Sequence, residues 1–145
     1  MAELKPVDML IVKTFMQDSK TSLKTVSQKF GLHPSTVAYR LKKLKAAGVI
    51  RRFTISVDWR KLGKTVEAAV MINCSPKDVT KVASMLKSMD EVIEVHSLTG
   101  FYDILAMVTL KDMEEYRVFI EKRLGAISEI ENIRAGIVLE DFKEE

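Results

Sequence analysis

Cysteine is nearly missing from this chain of 145 residues, with Cys74 the only one. A lone thiol closes no internal bridge. That excludes a disulfide scaffold and suits a reducing cytoplasm. Histidine is almost as scarce. His33 and His96, with Cys74 and scattered acids, show no metal-ligand spacing. There is no glycine-rich phosphate cradle and no nucleophile elbow. No apolar run is long enough to cross a bilayer, and the opening MAELKPVD carries an acid where a signal peptide would be apolar. The expectation is a protein with no metal, no cofactor, no catalytic residue and no membrane segment.

The most informative shortage is of acid. No Asp or Glu falls between Pro34 and Val57. Residues 1–63 carry 13 Lys and Arg against 4 Asp and Glu, a net +9, whereas residues 64–145 carry 10 against 16, a net −6. A basic front half followed by an acidic rear half points the front at a polyanion. Apolar residues make up 47% of the chain, enough for packed cores. The eight Met residues, Met85 and Met89 among them, are spaced as core filler.

Three short helices are expected first. Val7, Leu10, Ile11 and Phe15 recur at helical spacing. Ser22 suits an N-cap, and Leu23, Val26 and Phe30 follow on one face until Gly31 ends the helix. Pro34 suits the first turn of a third helix, which runs to about Ala47 and stops at Gly48. Val49–Asp58 reads as extended and Trp59–Gly63 as a linker turn, with Trp59 expected in a core.

Behind the turn, strands are expected at Thr65–Asn73, Val92–Leu98, Ile104–Leu110 and Ile133–Leu139. A helix starts at Ser75-Pro76 and carries Val79, Val82, Ala83 and Leu86. A second starts at Asp112, with Glu115 completing a capping box, and carries Tyr116, Phe119, Ile120 and Leu124. The order β-α-β-β-α-β is the ferredoxin-like split unit. The fold class is therefore α+β, with a winged-helix-like helix-turn-helix over residues 1–52, a linker over 53–63 and the ferredoxin-like unit over 64–145. In that unit Ala69, Met71, Leu105, Met107 and Val138 lie out of phase with Val70, Ile72, Ile104, Ala106, Ile137 and Leu139, so both faces of the sheet are apolar. Two copies pairing face to face would bury the uncovered side.

Ser22–Ile50, two helices joined through a tight turn at Gly31, has the geometry of a DNA-reading helix-turn-helix. In its second helix Val37, Leu41 and Leu44 form the buried stripe. The opposite face holds Ser35, Thr36, Tyr39, Lys42 and Lys43, with Arg40 on the flank. Hydroxyls touch base edges or phosphates, and Lys and Arg neutralise phosphates. Arg51 and Arg52 extend the basic track. A solvated amphipathic helix is the commoner source of such a face, but solvated faces mix signs and this one has no acid.

The runs TVAYRLKKLKAAGVI at 36–50, VDWRKLG at 57–63, LTGFYDIL at 98–105 and IVLED at 137–141 stand in an order and spacing that resemble the leucine-responsive/asparagine regulators (Lrp/AsnC, or feast/famine, proteins) of bacteria and archaea. The likeness covers nearly the whole chain. It implies a cytoplasmic transcription regulator that binds pseudo-palindromic double-stranded DNA. It further implies sheet-paired homodimers assembling into tetramers or octamers, and a small effector, often an amino acid, bound between dimers. By resemblance the effector site involves Thr99, Gly100, Tyr102 and Asp103, with Ala135 in the last strand. Asp103 has an alternative role as a turn carboxylate that satisfies backbone N–H groups. Three departures stand out. His33 replaces a capping Ser and is expected to cap poorly, Ser27 replaces a small Ala, and Ala135 replaces a Thr. Two alternatives share the layout: an enzyme similar to the sirohaem decarboxylases, and a low-specificity protein that coats DNA.

Overall fold

A computed structural model describes residues 4–142. The chain forms two compact units that meet between Val57 and Asp58. No helix among the described residues is long and apolar enough to cross a membrane.

The first unit holds α1 (Pro6–Gln17), α2 (Leu23–Phe30) and α3 (Pro34–Ala46). Pro6 opens α1, and the Asp8 carboxylate accepts from the Lys5 N–H at 2.9 Å. Ser22 caps α2 by accepting from the Thr25 N–H at 3.0 Å. Gly31 ends α2 at φ +63, a conformation open to glycine and costly for most side chains. Ile11, Phe15, Val26 and Val37 make the core, with Val7, Phe30, Leu32 and Leu41 packed on it. Leu10 and Leu23, both expected inside, are exposed. Asp8 and Thr14 take the remaining buried positions of α1, because Asp8 finds a cationic partner and Thr14 donates to the Leu10 carbonyl at 3.0 Å. Val49–Asp58 carries no helix and no strand ladder, so this chain alone builds no wing hairpin. Phe53, in that segment, meets Phe15 edge-on at 6.1 Å.

The second unit opens with one tight turn, Arg60–Leu62, closed by Gly63 at φ +85. Trp59 is half-buried and lies outside the core cluster; its carbonyl caps the turn instead, accepting from the Leu62 and Lys64 N–H groups. Then come β1 (Val66–Cys74), α4 (Val79–Lys87), β2 (Val92–Ser97), β3 (Ile104–Leu110), α5 (Met113–Val118) and β4 (Ile130–Ile137). The antiparallel sheet has the order β2-β3-β1-β4. Val70, Ile72, Ile104, Ala106 and Val108 point at Val82, Leu86, Phe119 and Leu124 of the helical layer.

The larger departures from the sequence expectation are at α4 and β4. α4 starts at Val79 because Ser75–Asp78 forms a turn first, the Asp78 N–H donating to the Ser75 carbonyl. β4 starts at Ile130, since a register shift at Asn73/Cys74 sets Cys74 opposite Ile130. It also ends early. Val138 N–H still donates to the Glu67 carbonyl, and Leu139 beyond it is 85% exposed. α5 passes into a wider turn over Phe119–Leu124, where Gly125 N–H reaches back five residues to the Ile120 carbonyl at 3.2 Å.

Candidate nucleic-acid interface

α3 begins at His33. Its Nδ1 accepts from the Ser35 N–H at 3.3 Å and lies 2.7 Å from Ser35 Oγ. His33 therefore caps the helix, contrary to expectation, because its ring nitrogen reaches the place a Ser oxygen would fill. Val37 and Leu44 are buried and Leu41 half-buried, which fixes the outward face. On it Ser35, Lys42 and Lys43 are exposed, Thr36 is half-buried and Tyr39 is 65% exposed. Arg51 and Arg52 are exposed beyond the helix.

Arg40 differs from the rest of that set. Its guanidinium Nη1 donates to Asp8 Oδ1 at 2.8 Å, with the side chains only 20% and 10% exposed. Its Nε is buried without a partner. An Arg already bonded to a carboxylate is a poor phosphate contact, so its place on the helix flank turns it inward as a brace. Burial pushes the Asp8 carboxyl up, but the Lys5 N–H and the Arg40 and Lys43 cations together hold it below its ordinary value. The acid-free stretch also reaches further back than the helix, to Ser19, and leaves Lys24 and Lys29 exposed on α2. The charge string already held this signal.

In the second unit the turn expected to meet an effector is closed on itself. Asp103 N–H donates to the Ile72 carbonyl at 3.0 Å, and the Asp103 carboxylate accepts from the Cys74 N–H at 3.0 Å. Asn73 Nδ2 donates to the Phe101 carbonyl at 2.6 Å. Thr99 and Gly100 are exposed, with Gly100 at φ +123, and Tyr102 is half-buried against Phe101, ring edge to face at 5.0 Å. Ala135 is not brought to this turn within one chain. It sits opposite Val70, four residues or roughly 13 Å along β1 from Cys74, and packs on the core side. Burial also holds the Cys74 thiol above its ordinary pKa, with Asp103 adding to the effect, so Cys74 stays protonated. His96 is exposed beside Glu94 on the sheet face away from the helices, and no cluster of three His, Cys, Asp or Glu among the described residues could hold a metal.

Residues 67–145 match the family model described as the Lrp/AsnC ligand binding domain, and residues 4–51 match a winged helix-turn-helix DNA-binding model. The chain belongs to the Lrp/AsnC family. It is 36% identical to the HTH-type transcriptional regulator FL11 of Pyrococcus abyssi, across 97% of this chain and 93% of that one. Its fold matches that of AsnC from E. coli with a TM-score of 0.88 at 28% identity, covering 99% of this chain and 97% of the other. A transcriptional regulator of Neisseria meningitidis, solved in complex with L-Met, shares the fold at a TM-score of 0.90 and 22% identity, across 98% and 94% of the two chains. As an Lrp/AsnC protein with a helix-turn-helix, this chain is a DNA-binding transcription regulator. The Lrp/AsnC layout accounts for the two units, one basic and one carrying the ligand-binding fold.

Proposed function

We propose that this regulator works as a two-fold homo-oligomer that lays the outward face of α3 into the major groove of pseudo-palindromic sites. The observation that carries this reading is the exposed face itself: Ser35, Tyr39, Lys42 and Lys43 are exposed beside half-buried Thr36, with no carboxylate among them. Lys42, Lys43, Arg51 and Arg52 supply phosphate contacts and most of the affinity. Ser35, Thr36 and Tyr39 read base edges. Arg40 holds the helix in place through Asp8.

Pairing uses the sheet face away from the helices. Ala69 and Met71 of β1, with Leu105 and Met107 of β3, are half-buried there and flank one another in the ladder. A small effector, an amino acid by the ligand-binding fold and by analogy with the L-Met-bound Neisseria neighbour, is taken at Thr99–Asp103. It acts by binding one assembly better than another.

The test is titration of DNA at several salt concentrations. Lys43→Ala is expected to weaken binding to all sequences and lower the salt slope by about 1, whereas Thr36→Ala and Tyr39→Ala also blur base preference. Wild-type affinity and preference in all three would remove α3 from the role.

A further inference from the structure

We infer that His33 fixes the hydrogen-bond polarity of Ser35, so that Ser35 meets DNA as an acceptor and selects a base whose groove edge donates. The inference rests on the reading of α3 as the DNA-reading helix.

The geometry leaves one consistent arrangement of protons. The Ser35 backbone N–H can only donate, and it is directed at His33 Nδ1 at 3.3 Å. Nδ1 therefore carries the lone pair, and the ring proton sits on Nε2. The 2.7 Å contact between Nδ1 and Ser35 Oγ must then run from the hydroxyl to the ring. A serine hydroxyl has one proton and two lone pairs. Here the proton is spent inside the protein, and only the lone pairs face outward.

A free serine is ambivalent and bonds phosphate, donor edges or acceptor edges alike. A serine committed as an acceptor gains nothing from phosphate oxygens, guanine N7 or O6, or thymine O4. It suits the amino groups of adenine and cytosine. Both His33 and Ser35 are exposed at the N-terminal end of α3, where helices of this kind meet base edges. A capping Asp would impose the same polarity but would bring a negative charge to the duplex. A neutral imidazole does it without one.

No carboxylate is bonded to the His33 ring, whose hydrogen bonds among the described residues go to Ser35, while the His33 carbonyl accepts from the Thr36 and Val37 N–H groups.

The experiment selects bound duplexes from a randomised pool with the full chain at neutral pH. Wild type is expected to favour A or C by about fivefold at one position of each half-site. Ser35→Ala should erase the preference. His33→Ala should flatten it. His33→Asn, which caps well and accepts from Ser35, should restore it. The inference is overturned if wild type favours G or T at that position, or if His33→Ala keeps a preference that Ser35→Ala loses. A Ser35→Ala profile identical to wild type would instead remove Ser35 from the DNA, and the inference with it.

Discussion

Arg40 donates to Asp8 across 32 positions of sequence, tying the first turn of α1 to the middle of α3 at 2.8 Å. The helix proposed to meet DNA is thus held from behind by one ion pair as well as by the apolar stripe.

Replacing Asp8 by Asn is expected to destabilise the first unit by about 1–3 kcal/mol, less than a fully buried pair because both side chains retain some exposure. The carboxyl is held below its ordinary value of 3.8 in the folded unit. Its contribution is therefore fully present above that value and lost as the pH falls through the lower folded-state value. Hydrogen exchange of α3 amides should accelerate in the variant, while β1 amides stay protected.

Arg40→Met separates brace from contact. It leaves Asp8 buried without its cation, so stability should fall at least as far as in Asp8→Asn. The double variant should recover part of that loss, as double-mutant cycles of coupled pairs do. The salt slope of DNA binding should stay at the wild-type value, in contrast to Lys43→Ala. A slope lower by about 1 would return Arg40 to the phosphate contacts.

Met71→Glu introduces a charge at the centre of the sheet face proposed to pair. Light scattering should show the mass fall to that of one chain. Affinity for a two-half-site duplex should drop by about 100-fold or more, because each half-site is then bound alone. An unchanged mass would move the pairing surface elsewhere.

Gly125 closes the wide turn after α5. A Cβ built there would press on the Glu121 carbonyl, lying 3.1 Å from its carbon, and that neighbour is backbone and cannot rotate aside. Gly125→Ala is expected to cost about 1–3 kcal/mol, the range for forced overpacking. The second unit should melt earlier, with α3 exchange unaltered.

Local chemistry made much of this legible. Ser22, Gly31 and Pro34 each mark a helix end by a property of one or two residues, and the alternation in Val66–Cys74 and Ile104–Leu110 marks strands directly. What stayed hidden depended on distant partners. Leu10 recurs at core spacing, yet Asp8 is buried instead because Arg40 arrives from another helix. The start of β4 follows a register shift set by β1, which no pattern within Ile130–Ile137 encodes. A fixed helical period carries Tyr116 through Leu124 without showing the extra residue in the Phe119–Leu124 turn. At the candidate interface, the absence of acid found the face but could not show that Arg40 had left it. Rank by capping preference set His33 aside, although its ring nitrogen reaches the same amide as a shorter oxygen would.

Asp103 already spends its carboxylate on the Cys74 amide, with Asn73 beside it holding the Phe101 carbonyl. A small cation at Asp103 would share one carboxylate with the last N–H of β1. Occupancy at this loop would then be coupled to the end of the central strand, the one element joined to both β3 and β4.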